Sequence, residues 1–231
     1  MSLFALFTLA TFGLSVYADT VQQGGALIHL RIEGATETIF DGPIFTTGHN
    51  VTTASGGTHH CDGTNNNQNP TPGPTCTSAL DDAAAAHGFT WDGTFFDSFD
   101  DYLVTRIASD SETSTEFWSL LLNYQLTTVG GCQQQVQNTD EVLFAFDALS
   151  KAYALKLEGP TNATANQPLQ LTVVDGSTGT PVANAEVGGQ TSDGEGHVWL
   201  TFGSAGSQSV KAEKSDSIRS RSLVIDVAPG L

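Results

Sequence analysis

The chain has 231 residues, with 25 Asp and Glu against 8 Lys and Arg, a formal net charge of −17 at neutral pH. Phosphate backbones and anionic lipid surfaces require the opposite sign, so nucleic acid and anionic membranes are set aside as partners. The length allows one large domain or two small ones. Acidity is uneven along it, with 18 acids and 4 bases in residues 19–158 against 7 and 4 in residues 159–231.

Residues 1–18 read as a secretory signal peptide. Leu3 to Val16 is uncharged and mostly apolar, and Val16-Tyr17-Ala18 supplies small residues at −3 and −1 of a cleavage site. The run is short of the ~20 residues that cross a bilayer, so export is expected and membrane insertion is not. Leu27-Ile-His-Leu-Arg-Ile32 then alternates apolar and polar residues, the period of a half-buried strand. Further extended pieces are predicted near Glu37–Phe40 and, after an Asp41-Gly42-Pro43 turn, up to about Val51. Residues 53–75, rich in Gly, Asn, Pro and Thr, read as a long surface loop.

The three cysteines are Cys61, Cys76 and Cys132, an odd number that suits an oxidising compartment with one thiol left over. Cys61 and Cys76 bracket a loop too polar to order itself, so a Cys61–Cys76 bridge is the first expectation, with Cys132 paired to either partner as the alternative. One helix is predicted from Ser78-Ala-Leu-Asp81, read as a capping box, to a left-handed cap at Gly88. Strands follow at Tyr102–Ile107, Trp118–Leu126 and Val142–Phe146, the last two joined across a Gly130-Gly131 turn. Residues 158–168 read as a linker. Beyond it Leu169/Leu171/Val173, Val198/Leu200/Phe202 and Leu223/Ile225/Val227 occupy alternate positions of short strands, the texture of a small antiparallel sandwich over 169–231.

Two resemblances follow from these residues. Residues 26–157 resemble the transcobalamin-like C-terminal domain family of secreted fungal surface proteins. The matching marks are Cys76-Thr-Ser-Ala-Leu-Asp81, Trp118…Leu122-Asn-Tyr-Gln125, Val129-Gly-Gly-Cys132 and Asp140-Glu-Val-Leu-Phe-Ala-Phe146. Residues 159–231 resemble a bacterial-type immunoglobulin-like module through Gly179–Val187, Thr191–Gly196 and Gly206–Ala212. The resemblances imply an α+β, β-grasp-like N-terminal domain (19–157) with one short helix, plus an all-β immunoglobulin-like C-terminal sandwich. Cobalamin binding is not implied, because transcobalamin caps that ligand together with a helical barrel that has no counterpart here, and no other cofactor is expected.

Several constellations bear on chemistry. His59-His60-Cys61-Asp62 has metal-ligand residue types, but adjacent side chains rarely converge on one ion, and an ordinary loop is the simpler reading. Asp62-Gly-Thr-Asn-Asn-Asn-Gln-Asn69 offers oxygens to calcium yet lacks the glycine at loop position 6 and the acid at position 12 of an EF-hand. Asp97, Asp100 and Asp101 are the candidates for a carboxylate pair in a polysaccharide hydrolase, while Asp81 and Asp82 suit a helix N-terminus. Familiar nucleophile, zinc-protease and phosphate-loop motifs are missing, so no catalytic residue is assigned. Trp91 and Trp199 are the candidate ligand contacts, since flat aromatic faces suit sugar rings, whereas Trp118 keeps phase with Leu120 and Leu122 and reads as core. Asn50-Val-Thr52 and Asn162-Ala-Thr164 are glycan acceptor sequences. The leading expectation is a secreted, non-enzymatic surface or cell-wall protein that grips a glycan or an extracellular protein. A secreted hydrolase and a small-ligand or calcium carrier are the rivals.

Overall fold

A computed structural model describes residues 24–230, so the expected signal peptide lies outside the described residues. The first half contains β1 (Gly25–Glu33), β2 (Thr38–Thr47), β3 (His49–Thr53), β4 (Gly57–Cys61), α1 (Cys76–His87), β5 (Trp91–Phe96), β6 (Asp101–Ile107), β7 (Asp110–Ser111), β8 (Trp118–Leu122), β9 (Gln125–Leu126) and β10 (Glu141–Phe146). The second half contains β11 (Tyr153–Glu158), β12 (Asn162–Thr164), β13 (Pro168–Asp175), β14 (Glu186–Val187), β15 (Gln190–Thr191), β16 (His197–Thr201), β17 (Gly206–Val210), β18 (Ala212–Glu213), β19 (Ser217–Ile218) and β20 (Leu223–Ala228). The protein is thus mostly β, with one α-helix among the described residues and several sheets.

A five-stranded sheet in the order β2-β1-β10-β8-β9 organises the first half. β1 pairs antiparallel with β2 and parallel with β10, and β10 pairs antiparallel with β8. Ile28, Leu30, Ile32, Val142 and Phe144 face one way and share a core with Ala79, Leu80 and Ala83 of α1, and with Trp91, Tyr102 and Ile107 of the β5–β6 ribbon. Leu143 and Ala145 face the other way and are buried as well. That explains why β10 reads Val-Leu-Phe-Ala-Phe without alternation: a strand covered on both faces needs apolar side chains at every position.

The cover on the second face is the other half of the chain. There β16-β13-β11-β19 form one sheet, β12-β20-β17 a second and β15-β14-β18 a third. Leu171, Val173, Val198, Leu200, Ile225 and Val227 meet in their own core, as their alternation predicted, and Leu155 of β11 joins them. A third, smaller cluster joins the halves, with Leu121, Tyr124, Leu143 and Ala145 packed against Ala154 and Ile218. Tyr124 lies in a tight turn with Asn123, φ +65° and +50°, an uncommon conformation for a bulky side chain. Its buried ring lies directly over the Cα of Gly176, where a Cβ would overlap it. Gly176→Ala should therefore cost about 1–3 kcal/mol through overpacking at this seam, read as a lowered denaturant midpoint.

Charge reinforces the seam. The Glu33 carboxylate, 2% exposed, accepts from Lys211 Nζ at 2.8 Å, Arg219 Nε at 2.7 Å and the Thr38 hydroxyl. Lys211 also reaches Asp41 at 3.2 Å, and Asp41 lies 2.7 Å from His29 Nε2 and accepts the Ser222 N–H. Burial pushes the Asp41 carboxyl up, but the His29 hydrogen bond, the Ser222 N–H and the Lys211 charge outweigh it and hold it well below the usual carboxylate range. The fully buried Arg31 donates from Nη1 to the Arg219 carbonyl at 2.7 Å, and its guanidinium lies 5.5 Å from the Tyr124 ring centroid. Three of the eight basic side chains of this acidic protein, Arg31, Lys211 and Arg219, are committed here.

Several sequence expectations are corrected. The segment 53–75 is a strand and an ordered turn rather than one loop: β4 pairs with β3 from His49↔Cys61 to Thr53↔Gly57, and a single 3-10 turn spans Asn65–Asn67. The helix starts earlier, with Thr75 as N-cap. Thr75 Oγ1 accepts the Ser78 N–H and Ser78 Oγ accepts the Thr75 N–H, so the box is Thr75/Ser78, while Gly88 closes the helix at φ +76° as expected. The strand predicted over Trp118–Leu126 is interrupted by the Asn123-Tyr124 turn. β8 still pairs antiparallel with β10, but Gly130-Gly131 lies in the wrap that follows rather than in a hairpin turn. Within the segment read as linker, β12 pairs with β20, so residues 162–164 belong to the sheets of the second half.

Candidate functional site

β16 is the last strand of its sheet, paired on one side with β13 in the register Pro168↔Thr201, Gln170↔Trp199 and Thr172↔His197. Strand pleating sends successive side chains to opposite faces, so Val198 and Leu200 enter the core while Trp199 and Thr201 point out. Trp199 is 56% exposed. The β14–β15 hairpin stands beside it, turned by Gly188-Gly189 at φ +55° and +78°, a pair of left-handed positions that suits two glycines. Between them runs a groove of about 360 Å³, within the range of small-ligand sites, lined by Gly188, Gln190, Trp199, Leu200, Thr201, Phe202 and Val210. None of these side chains carries a charge.

The other candidate aromatic is not available. Trp91 is 8% exposed, stacks edge-on against Tyr102 at 6.0 Å, and donates from Nε1 to Asp81 at 3.0 Å. Residues 91 and 93 of β5 point inward, so the expectation of ligand contact at Trp91 is withdrawn. Trp118 is core as predicted, edge-on to Phe146 at 5.3 Å, with Nε1 donating to the Asp110 carbonyl.

The disulfide joins Cys61 to Cys132, and Cys76 is a free, buried thiol whose burial pushes its pKa far up. The expected Cys61–Cys76 pairing is thereby corrected: Cys76 occupies the first turn of α1 within the core, while the 130–133 wrap brings Cys132 to the end of β4. Within the His59-His60-Cys61-Asp62 run, consecutive positions on β4 separate His59 from His60, and the disulfide takes Cys61 out of any ligand set. His59 stacks flat on Phe95 at 3.4 Å, and His60 lies between Asp62 and Asp100 at 3.3 and 3.2 Å. Within Asp62–Asn69, Asp62 Oδ1 accepts from the Thr64 N–H and hydroxyl, and Asn65 Oδ1 accepts the Asp62 N–H. Among the described residues no group of three or more His, Cys, Asp or Glu side chains is placed to hold a metal ion.

The three acids weighed for hydrolysis have separate environments. Asp97 is exposed at the tip of the β5–β6 hairpin. Asp100 accepts the Asn66 N–H at 2.9 Å. Asp101, 5% exposed, accepts the N–H groups of Cys132 and Tyr102 and so pins the disulfide-bearing wrap to β6. Burial is the largest influence on Asp101; opposed by those amides and that of Gln133, and aided by the Asp100 charge, it raises the pKa to about 6. A folded-state value above the unfolded 3.8 means that the native protein binds more protons between the two, so stability falls as pH rises from about 4 to about 6. Asp101→Asn should remove that fall, measured as denaturant midpoint against pH.

A second concavity, about 500 Å³, lies where the halves meet and is lined by Glu33, Glu116, Asp147, Lys151, Glu186, Glu213, Lys214 and Arg219 among others. Its cations are already paired: Lys151 with Asp147, Lys214 with Asp216 and Arg219 with Glu33. Sequence reading missed the junction that forms it, since Arg31 and Glu33 look like the polar face of a half-exposed strand. Both sequon asparagines, Asn50 and Asn162, are exposed. No family model matches this chain, and no curated protein matches it either.

Proposed function

We propose that this is a secreted, non-enzymatic surface or cell-wall protein that holds a glycan through the Trp199 groove, with glycans of its own on Asn50 and Asn162. The observation that carries the reading is a single large aromatic face, 56% exposed on a rigid strand, beside a groove with amide and hydroxyl groups. Preformed aromatic platforms with a few convergent polar groups bind small rings with little ordering cost. The Cys61–Cys132 bridge supports an oxidising, extracellular setting. No helix among the described residues is long and apolar enough to cross a membrane. The parallel β1–β10 pairing within a sheet backed by one helix supports the β-grasp-like, transcobalamin-like reading of the first half. Three packed sheets with alternating strands support the immunoglobulin-like reading of the second.

Absence of catalysis rests on the engagement of Asp100 and Asp101 in backbone hydrogen bonds that hold the fold. The test is to incubate the protein with insoluble wall polysaccharide and assay both retention and released sugar. Retention without release is expected, unchanged in Asp97→Asn. Sugar release that disappears in Asp97→Asn or Asp100→Asn would establish the hydrolase instead, and failure to be retained on any polysaccharide would sink glycan contact.

A further inference from the structure

We infer that the Trp199 groove selects an uncharged sugar, a neutral or N-acetylated pyranose of a polysaccharide, and excludes uronates, sulfated sugars and protonated amino sugars. The inference rests on the reading of this protein as a glycan binder and narrows it to a substrate class.

In a chain of net charge −17, seven residues enclose a groove without one ionised side chain. A polyanion would be repelled by the surrounding surface and would find no Lys or Arg in the groove to offset that repulsion. An ammonium group would be drawn to the acidic surface around the groove, but inside it would lose hydration without gaining a carboxylate partner, so such attraction belongs to the surrounding surface and is screened by salt. The groups that are present fit hydroxyls. The Gln190 amide offers donors and an acceptor, and the Thr201 hydroxyl does both, matching sugar hydroxyls that also give and take protons. Trp199 supplies the flat apolar surface on which the C–H face of a pyranose lies. Gln170, directly across the ladder from Trp199, extends the same outer face with another amide.

An extended peptide pairing with the edge of β16 is the competing occupant. The groove lining argues against it: Gly188 and Gln190 of the β14–β15 hairpin stand beside Leu200 and Thr201, flanking the edge that a new strand would need.

The experiment uses the full chain and four soluble polymers: a neutral β-glucan, a neutral mannan, polygalacturonate and protonated chitosan. Trp199 is the one strongly exposed tryptophan, with Trp91 and Trp118 at 8% and 7% exposure, so a ligand in the groove should change the emission of Trp199 against a constant background from the two buried indoles. A neutral polymer is expected to perturb that signal saturably, and the affinity should hold when salt is raised from 0.1 M to 1 M, which shortens the Debye length from about 10 Å to about 3 Å. By affinity electrophoresis, Trp199→Ala should lose about tenfold in affinity, Trp199→Phe should retain most of it, and Gln190→Ala should weaken it. Both positions are exposed, so an unchanged denaturant midpoint separates lost binding from lost folding.

Binding confined to polygalacturonate or chitosan and abolished by salt would overturn the neutral class while leaving glycan contact intact. Neutral-polymer binding that survives Trp199→Ala would overturn the site but again leave glycan contact. A saturable response to an extended peptide with none to the polymers would overturn both.

Discussion

Cys132→Ser is expected to lower the unfolding free energy by about 4 kcal/mol, because the Cys61–Cys132 bridge spans 71 residues and loop-closure entropy grows with the logarithm of length. The bridge ties the end of β4 to the wrap that also supplies N–H donors to Asp101, so its loss frees the unfolded chain and loosens a native contact together. Cys76→Ala should cost less, about 1–2 kcal/mol, since it removes one small buried group and no cross-link. Urea titration of both variants decides the order. Thiol blocking of the denatured, unreduced protein followed by peptide mass spectrometry should label Cys76 alone. Equal costs for the two variants, or label on Cys132, would contradict the pairing.

Glu33→Ala should be nearly as damaging, at about 3–5 kcal/mol, because it strips the shared carboxylate from Lys211 and Arg219 at a buried seam. Removing one member of a buried ionic set leaves the others desolvated and unpaired, a larger loss than the net worth of the intact set. The exposed Lys156–Glu158 pair, 2.6 Å apart but with both side chains nearly half exposed, supplies the contrast: Lys156→Ala should change stability by about 1 kcal/mol or less. Unfolding of Glu33→Ala, followed both by tryptophan fluorescence, whose change on unfolding comes mainly from the buried Trp91 and Trp118 of the first half, and by far-ultraviolet dichroism of both halves, should separate into two transitions as the halves uncouple. A single transition at the wild-type midpoint would show that the charges are decorative. Acid adds a check with a defined sign. Asp41 is depressed in the native state, so its contribution is present above the unfolded value of 3.8 and is lost as pH falls below it. The seam should therefore loosen in acid, opposite to the trend expected from Asp101.

The parts of this fold governed by local period are legible in the amino-acid sequence. The alternation of Val198, Trp199 and Leu200 is enough to say which side chain meets water, and Trp199 is 56% exposed while its two neighbours are buried. For Trp91 the same residue type led the wrong way. No flanking alternation showed its orientation, and its indole N–H is satisfied by Asp81, ten residues back on α1. The helix end at Gly88 was legible because a left-handed cap is a one-residue requirement. Its beginning was not, since Thr75, Thr77 and Ser78 all have capping chemistry and only tertiary placement makes Thr75 the first.

What the amino-acid order determined alone was therefore short in range: strand faces, the helix stop, the mostly β character, and the outward turn of Trp199. The folded arrangement decided everything that joins distant residues. Cys61 finds Cys132 rather than its nearer neighbour because the intervening chain returns over β4 while Cys76 is drawn into the core. Arg31 and Glu33 become a buried clamp because another sheet, contributed by residues more than a hundred positions later, covers the face they would otherwise show to water. Periodicity encodes which way a side chain points, whereas what it meets there depends on the path of the whole chain.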